Sequence, residues 1–273
     1  MNVRDALGRD VAVDTQPQRI VSLVPSITEA LFAYGAGDRV VGLTDFCVEP
    51  AARVADKPKV GGTKKLDLPF IEQLRPDLVI ASAEENEKEQ VESLIAAGLT
   101  VFVTLPRTVD EAIKMLADVA RLTGTTSVAM PKLTNTSRIL AQVKRENEGQ
   151  AGVRFFCPIW RRPYMSVGHG TYMDDLLKTC GGLNIFARAE GHYPEVTLDE
   201  AARRDPEVVL LPDEPYPFAE KHVAEVREAL AATTAVRDDH VHLVDGKMLS
   251  WYGPRIAGAL VEVSRIFAAA APT

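Results

Sequence analysis

The stretch Pro131-Lys-Leu-Thr-Asn-Thr-Ser-Arg-Ile-Leu-Ala-Gln-Val-Lys-Arg-Glu-Asn147 decides the architecture of this chain. Pro131 suits the first position of a helix, where a missing N–H is no loss. The apolar residues that follow are sparse: Leu133, Ile139, Leu140 and Val143. Such a helix is roughly 25 Å long at 1.5 Å per residue. A mostly polar helix is either weak or runs through solvent between two domains. What flanks it favours the bridge.

On both sides, short β-rich runs alternate with helical patterns, as in an α/β protein with mostly parallel sheets. The first strand is expected at Arg19–Val24, ended by Pro25. Ser26-Ile27-Thr28-Glu29 then has the form of a capping box opening a helix to about Tyr34, halted by Gly35 and Gly37. Strands at Asp77–Ala81 and Leu99–Thr104 flank a helix from about Asn86 to Ala97. Val109, Ile113, Leu116, Ala120 and Thr123 keep helical spacing up to Gly124. Beyond the bridge the pattern restarts, with strands at Val153–Cys157, Glu207–Leu211 and Val241–Asp245. Helices are expected at Tyr172–Thr179 and from Pro254 to about Ala270. The expected organisation is therefore a lobe over 1–125, a bridging helix over 126–149 and a second lobe over 150–273.

A weak echo links the two halves. Ile71-Glu72-Gln73-Leu74-Arg75-Pro76-Asp77 leads into Leu78-Val79-Ile80-Ala81, and Asp199-Glu200-Ala201-Ala202-Arg203-Arg204-Asp205-Pro206-Glu207 leads into Val208-Val209-Leu210-Leu211. In each, a short helix ends in a basic residue near a proline, and an acidic residue starts an aliphatic strand. Two similar lobes would produce this.

Composition removes several function classes. Lys plus Arg number 31 against 38 for Asp plus Glu, a formal charge of −7. Such a chain, with no dense basic run, lacks the electrostatic footprint of a nucleic-acid binder. No apolar run approaches the ~18 residues of a membrane span. Cys47, Cys157 and Cys180 are too few and scattered for a disulfide framework or a structural zinc site; one bridge would leave an odd thiol. The N-terminus has no basic and apolar leader pattern. It reads as a cytoplasmic start or as a mature chain with Met in place of a leader, and both readings stay open.

In open parallel sheets, ligands bind beyond the carboxyl ends of the strands. The loops there hold both tryptophans, Trp160 and Trp251, and four of the six tyrosines, Tyr164, Tyr193, Tyr216 and Tyr252. Large aromatics usually pack cores; in loops beside Arg161, Arg162 and Arg255 they fit a surface that grips a flat or apolar ligand. The same loops carry Thr63, Lys64, Ser82 and Asn86. No G-x-S-x-G elbow, P-loop or H-E-x-x-H is present. Glu84-Glu85 fits the start of a helix better than an acid–base pair. All five histidines follow residue 168, so the first lobe could offer a naked metal ion only carboxylates. His240 and His242 fit a solvated strand start better than a metal pair.

At these loops the sequence resembles the substrate-binding proteins of ABC importers with a helical backbone, particularly the cobalamin-binding type. The resemblance covers essentially the whole chain. It rests on Asp5-Ala6-Leu7-Gly8-Arg9, Arg19–Ser26, Val60-Gly61-Gly62, Arg75–Ile80, Cys180–Phe186 and Trp251-Tyr252-Gly253-Pro254-Arg255, taken in order. It implies two Rossmann-like lobes joined by a single long backbone helix, with a ligand cleft between the lobes and only a small opening motion. It implies a non-enzymatic, extracytoplasmic monomer that delivers its ligand to ABC permease and ATPase subunits.

By position, Tyr164 and Tyr193 fall where cobalamin binders set aromatics against the corrin, and Trp160 lies close to a third such place. Trp251 and Arg255 match the last cleft loop, with Tyr252 between them. Thr63 and Ser82 stand where the best-known cobalamin binders have tryptophans. Asn86, Arg161, Arg162 and Arg255 suit the amides or phosphate at the edge of a corrinoid. For permease docking, the second-lobe acid matches Asp199 or its neighbour Glu200, while the first-lobe counterpart falls at Pro69, with Glu72 one turn away. The transported ligand implied is cobalamin or another metal chelate, with no intrinsic cofactor. A ferric siderophore or haem is the alternative within the class, since the arginines suit an anionic chelate and Tyr or His can ligate haem iron. A leaderless cytoplasmic sensor or enzyme on the same fold is the alternative outside it.

Overall fold

Leu78-Val79-Ile80-Ala81-Ser82 is buried at every position, and so is Val208-Val209-Leu210-Leu211-Pro212. Strands apolar on both faces belong at the centre of a parallel sheet covered by helices on each side. A computed structural model, which describes residues 1–271, has two such sheets. In chain order the first half holds strands β1 (Asn2–Arg4), β2 (Asp10–Ala12) and β3 (Ile20–Ser22), helix α1 (Pro25–Ala33), β4 (Val40–Leu43) and α2 (Ala51–Val54). Then come β5 (Gly61–Gly62), β6 (Lys65–Leu66), α3 (Leu68–Gln73), β7 (Leu78–Ser82), α4 (Lys88–Ala96), β8 (Val101–Thr104), α5 (Val109–Leu122) and α6 (Thr126–Asn147). The second half holds β9 (Val153–Phe156), β10 (Pro158–Trp160), β11 (Tyr164–Ser166), α7 (Tyr172–Thr179), β12 (Gly182–Asn184), β13 (Glu195–Val196), α8 (Leu198–Arg203) and β14 (Val208–Pro212). It closes with α9 (Glu220–Ala229), α10 (Thr234–Arg237), β15 (Val241–Val244), α11 (Gly246–Ser250) and α12 (Ile256–Ala270).

The chain forms two compact units. The first comprises Met1–Pro106, Asp110–Asn135 and Tyr252–Pro254; the second comprises Arg107–Val109, Thr136–Trp251 and the residues from Arg255 onward. The main sheet of the first unit has strand order β4-β3-β7-β8 and that of the second β12-β9-β14-β15. Every pairing in both is parallel. Ranked along the chain, both orders read second, first, third, fourth. The echo in the sequence has its physical basis here. Asp77 accepts hydrogen bonds from the N–H groups of Gln18 (2.7 Å) and Arg19 (2.9 Å) and so anchors the start of β3, while the Arg19 Nε donates to the Leu74 carbonyl at 2.8 Å. In the second unit Glu207 accepts from the N–H of Arg154 at 2.7 Å, and the Arg154 Nε donates to the Asp205 carbonyl at 2.8 Å. Arg75 and Asp205 share a left-handed backbone, with φ of 47° and 46°.

Two local expectations are corrected. The capping box at Ser26 does not form: Pro25 takes the first turn of α1, Val24 is the N-cap without a side-chain bond, and Ser26 is buried within the helix. Pro131 does not take the first turn of the long helix, which runs over Thr126–Asn147 with Pro131 inside it. The Thr125 carbonyl accepts from the N–H groups of Val128 and Ala129, both at 3.0 Å, and starts the first turn. Ala129, Leu133, Thr136, Leu140 and Val143 are its buried residues; their 4-3-4-3 spacing is one narrow stripe. The helix is docked along that stripe instead of crossing solvent bare.

Leu23, Val79, Ala81 and Val103 centre one hydrophobic cluster of the first unit, and Phe156, Phe186, Val209 and Leu211 one of the second. All three cysteines are free and buried. Thr28 donates to the Cys47 Sγ at 3.0 Å, yet burial still raises the Cys47 thiol pKa, and it raises that of Cys180 to about 12. Burial pushes the Cys157 thiol up as well.

At the start of α8 a capping box is complete. The Thr197 Oγ1 accepts from the Glu200 N–H at 3.1 Å, and the Glu200 carboxylate accepts from the Thr197 N–H at 2.9 Å. Thr197→Ala is expected to lower stability by about 1 kcal/mol, and Asp199→Ala in the same turn by less than ~0.5 kcal/mol. Urea unfolding of the two variants checks this; equal effects would contradict it.

Candidate functional site

In the first unit, the loops leaving β3 and β7 and the β5–β6 hairpin are tied together by one amide. Asn86 accepts from the Ser82 N–H at 2.8 Å and donates to the carbonyls of Thr63 (3.0 Å) and Leu23 (3.3 Å). Asn86 does not open α4, which starts at Lys88; it is buried, and all of those contacts are to backbone. Ser82 is buried too, its Oγ accepting from the N–H groups of Glu84 and Glu85 at 3.2 and 3.3 Å. Thr63 is half-buried in the hairpin turn, and exposed Lys64 donates to the Glu84 carbonyl at 3.1 Å and pairs with Glu87 at 3.5 Å. Gly61, with φ of +92°, permits the hairpin: a Cβ there would lie 2.4 Å from the Lys65 carbonyl oxygen.

Tyr252 also belongs to this unit. Its hydroxyl donates to the Glu85 carboxylate at 3.0 Å and lies 3.3 Å from the Ser82 Oγ. Burial, with the Glu85 charge, raises the phenol pKa well above its ordinary value. Glu84 and Glu85 stand before α4, which starts at Lys88, and the Glu85 carboxylate makes this contact in place of the expected pairing with the helix dipole.

The second unit presents its aromatics on the antiparallel ribbon β10-β11-β13. Trp160 ends β10 with 44% of its surface exposed, its ring edge-on to Tyr216 at 5.8 Å. Tyr216 in turn packs against Phe218 at 4.8 Å and His222 at 5.4 Å. The Arg161 guanidinium grips Glu225 of α9 at 3.2 and 2.5 Å, and the Tyr164 hydroxyl donates to the same carboxylate at 2.9 Å. The hydrogen bond to Arg161 holds the Glu225 pKa below the usual glutamate value. Burial, then the Glu225 hydrogen bond, lifts the Tyr164 phenol to about 12. Arg162 is exposed and has a left-handed backbone, φ 67°.

Tyr193 is exposed on a loop zipped to the one after β11 by Ser166 N–H to Pro194 carbonyl (2.9 Å) and Gly168 N–H to His192 carbonyl (2.8 Å). Trp251 is buried, unlike Trp160, and its Nε1 donates to Glu214 at 2.6 Å. The cationic ends of Lys247 and Arg255 lie over its ring at 5.4 and 5.5 Å, and Arg255 also pairs with Asp245 at 3.4 Å.

Each docking candidate lies just before a central strand. Glu72 is exposed on α3 and Asp199 on α8, whereas Glu200 is committed to its capping box. Among the described residues, no group of three or more His, Cys, Asp or Glu is placed to hold a metal ion, and no helix is long and apolar enough to cross a membrane. The rings of His240 and His242 lie 5.9 Å apart. Sequence reasoning gave no orienting role to Glu225 and Glu214, and read Glu85 as part of a helix start; these carboxylates orient Arg161, Tyr164, Tyr252 and Trp251, and each partner is distant in the chain.

Two parallel α/β units with aromatic and polar loops beyond their strand ends define a two-lobed ligand-binding protein. The model of the family described as periplasmic binding protein matches residues 20–248, and the chain belongs to that family. A vitamin B12-binding protein of Vibrio cholerae is 24% identical over 246 residues, covering 90% of this chain and 87% of the relative. One from Pectobacterium carotovorum is 25% identical over 206 residues, 74% of each. Among solved structures, the periplasmic vitamin B12 binding protein BtuF of Vibrio cholerae aligns with a TM-score of 0.83 at 24% identity, over 93% of this chain and 98% of that one. The periplasmic heme-binding protein RhuT of Roseiflexus sp. RS-1 aligns at 0.79 and 24%, over 93% and 99%.

The Asn86 amide is the test of how the first-unit loops are held. Asn86→Ala strands buried backbone groups of Ser82, Thr63 and Leu23, and is expected to destabilise the protein by roughly 2 kcal/mol. Denaturant unfolding measures this; a change within ~0.5 kcal/mol would show that the amide holds nothing.

Proposed function

We propose that this chain is the substrate-binding protein of an ABC importer, that it captures a corrinoid, and that it delivers this ligand to a membrane permease outside the cytoplasm. The observation that carries the reading is the half-exposed Trp160 ring, backed by Tyr216, beside a Tyr164 whose hydroxyl is turned away to Glu225. Rigid aromatic rings with their polar ends tied down suit the broad apolar face of a macrocycle. Tyr193 adds a further ring, while Arg162 and Arg255 supply cations for phosphate or amide groups at the ligand's edge. In the first unit, Ser82, Asn86 and Tyr252 hold the loops that carry Thr63 and Lys64. Trp251 supports Arg255 from beneath. The relatives named as vitamin B12-binding proteins support the choice of corrinoid.

Titration with cyanocobalamin, followed by tryptophan fluorescence and calorimetry, tests this. Saturable one-to-one binding is expected, with the quenching carried mainly by Trp160, since Trp251 is buried. Trp160→Ala should weaken binding by about tenfold, the effect of an aromatic anchor. Absence of binding in both assays would discard the corrinoid, and binding of hemin or a ferric siderophore in its place would name the ligand class.

Docking to the permease falls to Glu72 and Asp199, the exposed acids of α3 and α8. Asp199→Lys is expected to reduce uptake into reconstituted vesicles while leaving cyanocobalamin affinity unchanged. A loss of affinity in step with uptake would place Asp199 in the ligand site.

A further inference from the structure

We propose that Glu225 is a specificity-determining residue: by engaging Arg161 it leaves the Trp160–Tyr164 loop with Arg162 as its available arginine, favouring a ligand with a neutral or singly anionic edge over a dicarboxylate chelate. The proposal deepens the corrinoid reading and, for the identity of the favoured ligand, rests on it.

A guanidinium beside an exposed aromatic ring is well suited to bind a carboxylate through two parallel hydrogen bonds. Arg161 has that position, one residue after Trp160, but its two-pronged contact is already made to Glu225, at 3.2 and 2.5 Å. The exposures are reversed from those of a receptor. The Arg161 side chain is 14% exposed and that of Glu225 38%, so the carboxylate is the more accessible partner of the pair. The Tyr164 hydroxyl donates to the same carboxylate at 2.9 Å. An incoming carboxylate would therefore meet a like charge, and could reach Arg161 only by displacing these hydrogen bonds. Like charges brought together are how binding sites reject wrong partners. A neutral amide edge meets no such repulsion, and exposed Arg162 remains for a single phosphate.

The test compares the wild type with Glu225→Gln, which keeps the side-chain size and an acceptor for Tyr164, and with Glu225→Ala. Hemin, a dicarboxylate macrocycle, and cyanocobalamin are titrated against each protein. Both substitutions are expected to raise the ratio of hemin to cyanocobalamin affinity by about tenfold, the scale of one released charge-assisted contact, with the gain shrinking as salt is added. Labelling by phenylglyoxal, located by peptide mass spectrometry, gives a readout that needs no ligand. Arg161 should be protected relative to Arg162 in the wild type and become several-fold more reactive in Glu225→Gln. An unchanged ligand ratio, tight hemin binding by the wild type, or Arg161 as reactive as Arg162 in the wild type would overturn the proposal. If cyanocobalamin binds none of the proteins, the corrinoid reading fails, while hemin affinity and labelling still decide the role of Glu225.

Discussion

The architecture depends on two strands, β7 and β14, that have no exposed face. Burial of every residue in both obliges each sheet to carry helices on both sides, which leaves only the two ends of the strands open to anything else. The entering ends are held by short carboxylate contacts, Asp77 to the backbone just before β3 and Glu207 to the Arg154 N–H within the first residues of β9. Variable chemistry is thereby confined to the leaving ends, where in the second unit the loops are longer and rich in aromatics. The strand order and the carboxylate anchor recur in each unit separately.

At those ends the polar groups divide the labour with the rings. Asn86, Glu85, Glu214 and Glu225 make their bonds within the protein, to backbone amides and carbonyls, tyrosine hydroxyls, an indole and a guanidinium. Each bond fixes a side chain or loop that would otherwise have to be ordered when a ligand arrives, and an interface already ordered loses less entropy on binding. Half-buried carboxylates near a site thus serve geometry first, and only the groups they leave unengaged define its chemistry.

Much of this was legible in the sequence. The alternation of strands and helices and the long helix near the middle were read from the residues, and the two parallel sheets match them. Errors came where a local pattern had more than one structural use. Ser26 to Glu29 looks like a capping box, but Pro25 fits the first turn better and leaves Ser26 inside the helix. Val40-Val41-Gly42-Leu43 is a full strand, too short and too interrupted by glycine to stand out. Which way a side chain points was not legible at all. Asn86 and Arg161 look alike as polar loop residues, yet one braces backbone and the other is held by a glutamate 64 residues away. Glu225 itself sits in a charged helix and has no feature that separates it from a solvated face.

The three thiols give each unit its own clock. Cys47 lies in the first unit, Cys157 and Cys180 in the second, and none is more than 1% exposed. With their pKa values raised by burial, they are unreactive while the fold is closed, so an oxidising environment can reach them only through opening. A thiol reagent present in excess would therefore record how often each half opens. A bound ligand that stabilised one half more than the other would slow its cysteines selectively, revealing where the binding energy is deposited.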